Sequence, residues 1–266
     1  MIEIFKKSYR LKDVYIPVGL ADLTFVKRPS LERAVRSWEL SDAKHLLIFG
    51  RSKSGKTSLW NKYIDRKRVI KIPCSATKTL RDVYSEILYE LNTFYQTETT
   101  IANGKNAGLK TELSAVLGIG KVSVNAQLSE SRNITKKQTR ISEPNIACTL
   151  VIKFLSGTNK IIVLEDFHYA NYELKNELSE DLKAFSDDKC PWILVGVQHK
   201  TSELLSYNLD LQQRIAEISV EGFSNQQLLE IIELGESALN IEFTSEIKQQ
   251  IVMESFKSAS IVQNIC

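Results

Sequence analysis

Gly50-Arg51-Ser52-Lys53-Ser54-Gly55-Lys56-Thr57 is a glycine, four free positions and then Gly-Lys-Thr, the spacing of a phosphate-binding P-loop. The flanking sequence has the form such a loop requires. His45–Phe49 is a short apolar run of strand length, and residues 58–64 carry apolar side chains at helical spacing. Gly50 and Gly55 permit backbone angles that a Cβ would forbid, so successive N–H groups can turn inward on an anion. A helix opening at Lys56 aims the positive end of its dipole at the same point. Lys56 then reaches the outer phosphates as a point charge, and the Thr57 hydroxyl is placed to ligate magnesium. Gly50, Arg51, Ser52, Lys53, Ser54, Gly55, Lys56, Thr57 and Ser58 are therefore the candidate cradle, and the motif predicts binding of a nucleoside triphosphate.

Further along, Ile161-Ile162-Val163-Leu164-Glu165-Asp166 places two acids after four apolar residues. A strand of this kind is buried between helices, and its end delivers carboxylates beside the magnesium. One acid holds the metal through water and the other polarises an attacking water. Alone, the run also reads as a buried strand ending in a solvated acidic turn; the P-loop upstream favours the site. Trp192-Ile193-Leu194-Val195-Gly196-Val197 is another parallel strand, ending at Gln198 and His199. Polar residues at such an end face a γ-phosphate, which makes Gln198 a candidate sensor and leaves His199 to solvent. Arg214 stands at the threshold of an alternating strand over residues 215–220. It can contact a neighbour's phosphate or pair with an acid such as Asp210 or Glu217.

Upstream, residues 14–18 suggest a short strand. Leu31, Ala34, Val35 and Trp38 mark an amphipathic helix with Ser30 as its N-cap. A helix here can close over a nucleotide base, with Phe25 and Val26 either contacting adenine or packing on the core. Residues 69–74 read as a second strand. A helix follows over 79–95, with Leu80, Val83, Ile87, Leu91 and Phe94 on one stripe. From 97 to 153 there is not one aromatic residue, and Gly104, Gly108, Gly118 and Gly120 concentrate there. Residues 96–143 are accordingly expected to be an exposed insertion. Within it, alternation from Val122 to Leu128 suggests a hairpin strand. A helix is expected over 145–155. A capping box at Ser224–Gln227, a cap at Thr244 and a helix opening near Ser258 outline a small helical subdomain after the sheet.

The chain has 266 residues, 43% of them apolar, enough for one large α/β unit and a smaller one. Its 35 basic and 32 acidic residues leave a net charge of +3, which by itself implies no nucleic-acid partner. Between Arg51 and Lys71, eight basic residues face a single acid, Asp65. A solvated helix end explains that run more simply than a phosphate-backbone patch does. Cys74, Cys148, Cys190 and Cys266 have no metal-ligand spacing and read as reduced thiols, with Cys74 in the core. No secretory signal or membrane-length apolar run is visible, so a soluble, cytoplasmic protein without a membrane partner is expected. The last helix stops at Ile265-Cys266 without a capping signal, and the chain is expected to be part of a longer protein.

Taken in order, Phe25-Val26-Lys27-Arg28, the P-loop, Leu164-Glu165-Asp166-Phe167, the strand into Gln198 and Leu211-Gln212-Gln213-Arg214-Ile215 resemble the AAA+ and STAND P-loop ATPases. The likeness is to the branch that holds origin-recognition-type ATPases and bacterial transposition regulators. It runs from about Phe25 to the C-terminus, interrupted by the insertion. The resemblance implies an α/β P-loop NTPase fold, with a five-stranded parallel sheet flanked by helices over 1–222 and a C-terminal helical lid over 223–266. It also implies ATP and Mg2+ as ligands and self-assembly into homo-oligomers through nucleotide-bridged interfaces. By position Glu165 takes the metal role with Thr57, Asp166 the general-base role, and Arg214 that of an arginine supplied to a neighbour. The family usually ends its magnesium strand Asp-Asp or Asp-Glu; Glu165-Asp166 exchanges the longer and shorter arms, so slow hydrolysis is expected. Ser258-Ala259-Ser260-Ile261 lacks the arginine of many AAA+ lids, which fits the STAND side. A GTPase is disfavoured because Asn61-Lys62-Tyr63-Ile64 lies too early and lacks the aspartate of an Asn-Lys-x-Asp element. The expected function is an ATPase switch governing assembly or an attached or partner effector; a DNA-associated loader or transposition regulator is the alternative.

Overall fold

The computed structural model describes residues 9–41, 45–92, 94–101, 115–116, 134–140, 148–197, 211 and 213–266. Its elements in chain order are α1 (Leu11–Val14), α2 (Pro29–Glu39), β1 (His45–Phe49), α3 (Lys56–Tyr63), β2 (Val69–Pro73), α4 (Leu80–Glu90), β3 (Phe94–Ile101), β4 (Ala115–Val116) and β5 (Ile134–Arg140). They continue as α5 (Cys148–Leu155), β6 (Ile161–Glu165), α6 (Tyr172–Asp187), β7 (Trp192–Gly196), β8 (Ile215–Ser219), α7 (Asn225–Leu239), α8 (Ser245–Glu254) and α9 (Ala259–Ile265).

Five aliphatic strands form one parallel sheet in the order β2-β6-β7-β1-β8. The period of two sends alternate side chains to opposite faces, and both faces are covered. Leu47, Ile162, Leu164 and Leu194 pack with α4, α5 and α6. Leu46, Ile48, Ile161, Val163, Ile193 and Val195 pack with α2 and α3 on the other side. Because all five strands are parallel, the loops leaving β1 and β6 open on the same carboxyl edge of the sheet, with β7 between the two strands. A crevice at such an edge is where α/β sheets take ligands.

A third cluster joins Phe223, Leu228, Ile231, Ile232, Ile251, Val252 and Val262 of the helices after the sheet. Val26 belongs to it, and the N-terminal segment is fastened there too. The Tyr15 hydroxyl donates to the Ile232 carbonyl, the Ile16 N–H donates to Gln263, and Ser260 donates to the Pro17 carbonyl. Side-chain caps open these helices as expected. Ser224 and Gln227 form a capping box, while Thr244 and Ser258 each accept an N–H. Each cap contributes about 1 kcal/mol.

Several expectations shift. Residues 14–18 form no strand: Leu11–Val14 is a single helical turn, and Val14 and Tyr15 are buried. The N-cap of α2 is Arg28 rather than Ser30, because Pro29 occupies the first turn, where its missing N–H has no cost. Helix α4 stops at Glu90 rather than at residue 95. Asn92 turns left-handed, and Phe94 starts β3 instead of completing the stripe. Strands β3, β4 and β5 make a separate antiparallel sheet, within and just before the expected insertion. The proposed hairpin over 122–128 and the start of the helix before Cys148 lie outside the described residues. Cys74 is buried, and all four cysteines are free. No helix among the described residues is long and apolar enough to cross a membrane.

Candidate functional site

The loop after β1 has the backbone its sequence demands. Gly50 (φ +147°) runs under the exit of β8, where an added Cβ would lie 2.1 Å from the Val220 carbonyl oxygen. Gly55 (φ +91°) opens α3, and a Cβ there would lie 2.9 Å from an Arg28 nitrogen. Lys53 between them is also left-handed, at φ 60°. Lys56 folds over the loop, its Nζ donating to the carbonyls of Gly50 (2.9 Å) and Arg51 (2.7 Å). Burial pulls the Lys56 ammonium below its ordinary pKa, opposed by the charges of Glu165 and Asp166. The Ser54 hydroxyl oxygen is buried and has no hydrogen-bond partner among the described residues, and the same holds for the Asn61 side-chain oxygen. The unmet Ser54 hydroxyl, beside a loop that excludes Cβ atoms, can donate to a phosphate ligand; the Asn61 oxygen, an acceptor only, does not bear on it.

The acid strand meets this loop. Glu165 ends β6 and accepts from the Thr57 hydroxyl at Oε2 (3.1 Å) and from the Trp60 indole N–H at Oε1 (2.6 Å). Glu165 is 5% exposed, and burial raises its carboxyl pKa while the two donors oppose that shift. Asp166, the next residue, is exposed and left-handed at φ 55°. Hard oxygen donors from one hydroxyl and one carboxylate fit Mg2+, which takes few protein ligands and completes its shell with phosphates and water.

A cavity of about 510 Å³ opens from the loop toward the N-terminal segment and α9. Its lining joins Ser52, Lys53, Gly55, Lys56, Thr57, Ser58, Glu165 and Asp166 with Phe25, Val26, Ile231 and Gln263. Phe25 and Val26 line the cavity, and both also pack against neighbouring side chains. The ring of Phe25 meets Tyr63 edge-on at 6.2 Å with Lys62 Nζ 5.0 Å from its centroid, while Val26 joins the helical cluster.

Arg214 stands apart from this constellation. Strand β8 runs parallel to β1 with His45 beside Ile215, so Arg214 lies at the opposite edge of the sheet from the P-loop. It pairs with Asp187 at the end of α6 rather than with Glu217. Gln198 and Asp210 lie outside the described residues. Two residues that no spacing rule singled out are at the site. Trp60 shares a helix face with Thr57, three residues earlier. Arg28 donates to the Ser54 carbonyl (3.1 Å) and the Glu221 carbonyl (3.0 Å) and stacks 4.4 Å from the Phe223 centroid. Burial lowers the Arg28 pKa to about 10.

A parallel sheet in this order, with a phosphate loop after one strand and a carboxylate ending another, defines the P-loop nucleoside triphosphatase class. The family described as "AAA domain" matches residues 39–205, more than half of the chain, and the chain belongs to it. No curated protein sequence matches the chain. Among solved structures, the Walker-type ATPase of Pyrococcus abyssi shares the fold at 14% identity and TM-score 0.57, over 90% of this chain and 66% of that one. A STAND protein of Pyrococcus horikoshii with a tetratricopeptide repeat sensor aligns at 14% identity and TM-score 0.52, over 88% of this chain and 28% of its own. The Thermotoga maritima RuvB branch migration motor aligns at 14% identity and TM-score 0.49, over 96% and 63%. The chain spans about two thirds or less of each of these proteins.

Proposed function

We propose that this AAA-family chain binds ATP with magnesium and hydrolyses it slowly, and that its nucleotide state controls self-assembly or an effector. The observation that carries the reading is the contact between the Thr57 hydroxyl and the Glu165 carboxylate, which joins the phosphate loop to the acid strand. Lys56 and the N–H groups of the loop bind and orient the β- and γ-phosphates. Thr57 and Glu165 hold the magnesium, which when bound neutralises charge on those phosphates. Asp166, exposed beside them, takes up the proton of the attacking water. The apolar lining residues, Phe25, Val26 and Ile231, suit a purine base. An ATPase module working beside a sensor, as in the Pyrococcus horikoshii STAND protein, is the arrangement this reading resembles. The DNA-associated alternative draws on the basic run from Arg51 to Lys71. There Lys62 pairs with Asp22 and Arg68 with Glu39, so two of its charges are already answered within the chain.

Thermal melting with and without Mg-ATP tests the reading. Wild type gains stability by mass action, about 2.7 kcal/mol at a ligand concentration a hundred times Kd. Lys56→Ala, which opens no core cavity, still folds without ligand, at a cost limited to the two loop hydrogen bonds, and gains nothing from Mg-ATP. Asp166→Asn keeps the shift and loses turnover by roughly a hundredfold or more. An equal shift in wild type and Lys56→Ala refutes the lysine's role, and normal turnover in Asp166→Asn with a dead Glu165→Gln reverses the two acids.

A further inference from the structure

We propose that Trp60 is a positioning residue that separates the roles of the two acids, holding Oε1 of Glu165 so that only Oε2 faces the divalent cation and Asp166 alone is free to act on water. This rests on the ATP reading above and deepens it.

Thr57 and Trp60 are three residues apart on α3, so their side chains rise from one helix face. Between them they take both oxygens of one carboxylate, at 3.1 Å and 2.6 Å. The two donors differ in kind. A hydroxyl has lone pairs left after donating and can ligate a metal at the same time. An indole N–H donates only, so the oxygen it holds has its best lone-pair direction withdrawn from the metal. Trp60 is 2% exposed and Glu165 5%, so water does not compete for the bond. The grip also accounts for the departure from the usual strand ending. Glutamate has one more rotatable bond than aspartate and would sweep a larger volume at this place; the indole removes that freedom. Asp166 has no such tether to α3: it is exposed, and its backbone turns away into the 3-10 turn Phe167–Tyr169.

Trp60→Phe keeps an aromatic ring in the core and removes the donor. The readouts are Mn2+ affinity by electron paramagnetic resonance with a non-hydrolysable ATP analogue present, and affinity for the analogue without metal. Loss of a hydrogen bond that orients a metal-binding side chain typically weakens the metal ten- to a hundredfold. The expected result is a loss of about tenfold in Mn2+ affinity, with metal-free analogue affinity within about twofold of wild type. In a Glu165→Gln background, Trp60→Phe should add little, because both changes act on one contact. Equal losses with and without metal, or losses that add in the double variant, overturn the proposal and leave Trp60 a packing residue.

If Trp60→Phe does not fold, the wild-type indole 15N–1H spectrum serves instead. With the analogue bound, Mg2+ should move one of the three tryptophan signals, and that response should vanish in Glu165→Gln. A spectrum in which Mg2+ moves none of them overturns the proposal. A wild-type chain that takes up neither analogue nor Mn2+ overturns the ATP reading, and this inference with it. A wild type that binds both while Trp60→Phe is unaffected overturns this inference alone.

Discussion

His45 shows how much a single side chain of this sheet depends on its protonation state. It opens β1, is fully buried, and is held from both sides. The Trp192 N–H donates to Nδ1 (3.1 Å), so the proton sits on Nε2, which donates to the Leu182 carbonyl (2.8 Å). A second proton would set an N–H against the Trp192 N–H in a dry interior. Burial pushes the pKa down to about 4; the Leu182 carbonyl opposes that shift and the Arg214 charge adds to it. A depressed folded-state pKa means that the contribution is complete above the unfolded value of about 6.5 and is lost as pH falls toward 4. The gap corresponds to roughly 3 kcal/mol. Urea unfolding from pH 7.5 to 4 should therefore show stability falling below about pH 6.5, with a shallower fall in His45→Gln. Identical slopes in the two proteins would remove His45 as the cause. None of this was legible in the sequence, where His45 reads only as the first residue of an apolar run; both of its partners come from segments more than a hundred residues away.

At the scale of elements, legibility divides along the same line. The strands, the P-loop and the helix caps are written in local patterns: alternation, a fixed glycine spacing, a hydroxyl three residues before an acid or amide. In the parallel sheet, the P-loop and the caps at Ser224, Thr244 and Ser258 they fall close to where the structure places them, whereas residues 14–18 form no strand and Arg28 replaces Ser30 as the N-cap of α2. The residues that join elements carry no such pattern. Trp60 meets Glu165 across 105 positions, and Arg28 reaches Glu221 across 193. Arg28 was visible only as part of a family-like tetrapeptide. Yet it ties three pieces together: the segment before α2, the P-loop carbonyl of Ser54, and the link from β8 to the terminal helices. Phe223, on which it stacks, is itself fixed by its N–H to the Lys257 carbonyl, between α8 and α9. Arg28→Ala would leave two carbonyls without donors and remove a cation–π contact. The expected cost is about 2–4 kcal/mol, concentrated in one place. Amide hydrogen exchange should accelerate in α7, α8 and α9 while β6 and β7 keep their protection. An acceleration spread evenly over sheet and helices would show that Arg28 supports the whole fold and not the junction.

For the whole molecule, the position of Arg214 raises the question of assembly. The P-loop follows β1 at one edge of the sheet and Arg214 precedes β8 at the other, five strand residues or roughly 16 Å away. It therefore does not serve the phosphates of its own chain; we propose that it serves those of a neighbour. Its present partner, Asp187, is a weak hold. The aspartate side chain is more than half exposed, and ion pairs of that kind contribute about 0–1 kcal/mol. Exchanging Asp187 for a neighbour's γ-phosphate would cost little, whereas an arginine supplied to phosphoryl transfer contributes roughly a thousandfold or more in rate. Hydrolysis would then require contact between chains, and a nucleotide switch could time its own disassembly. The expectation is specific: Arg214→Ala protomers keep a working P-loop, Lys56→Ala protomers keep the arginine, and each preparation alone is inactive. Mixed, they should recover part of the wild-type rate, because one kind of interface joins the intact loop to the intact arginine. Specific activity of the wild type should also rise with protein concentration. Asp187→Asn, which frees the arginine without touching the site, should leave turnover unchanged or raise it. Activity independent of concentration, or a mixture as inactive as its parts, would confine Arg214 to its pair with Asp187 and to the start of β8.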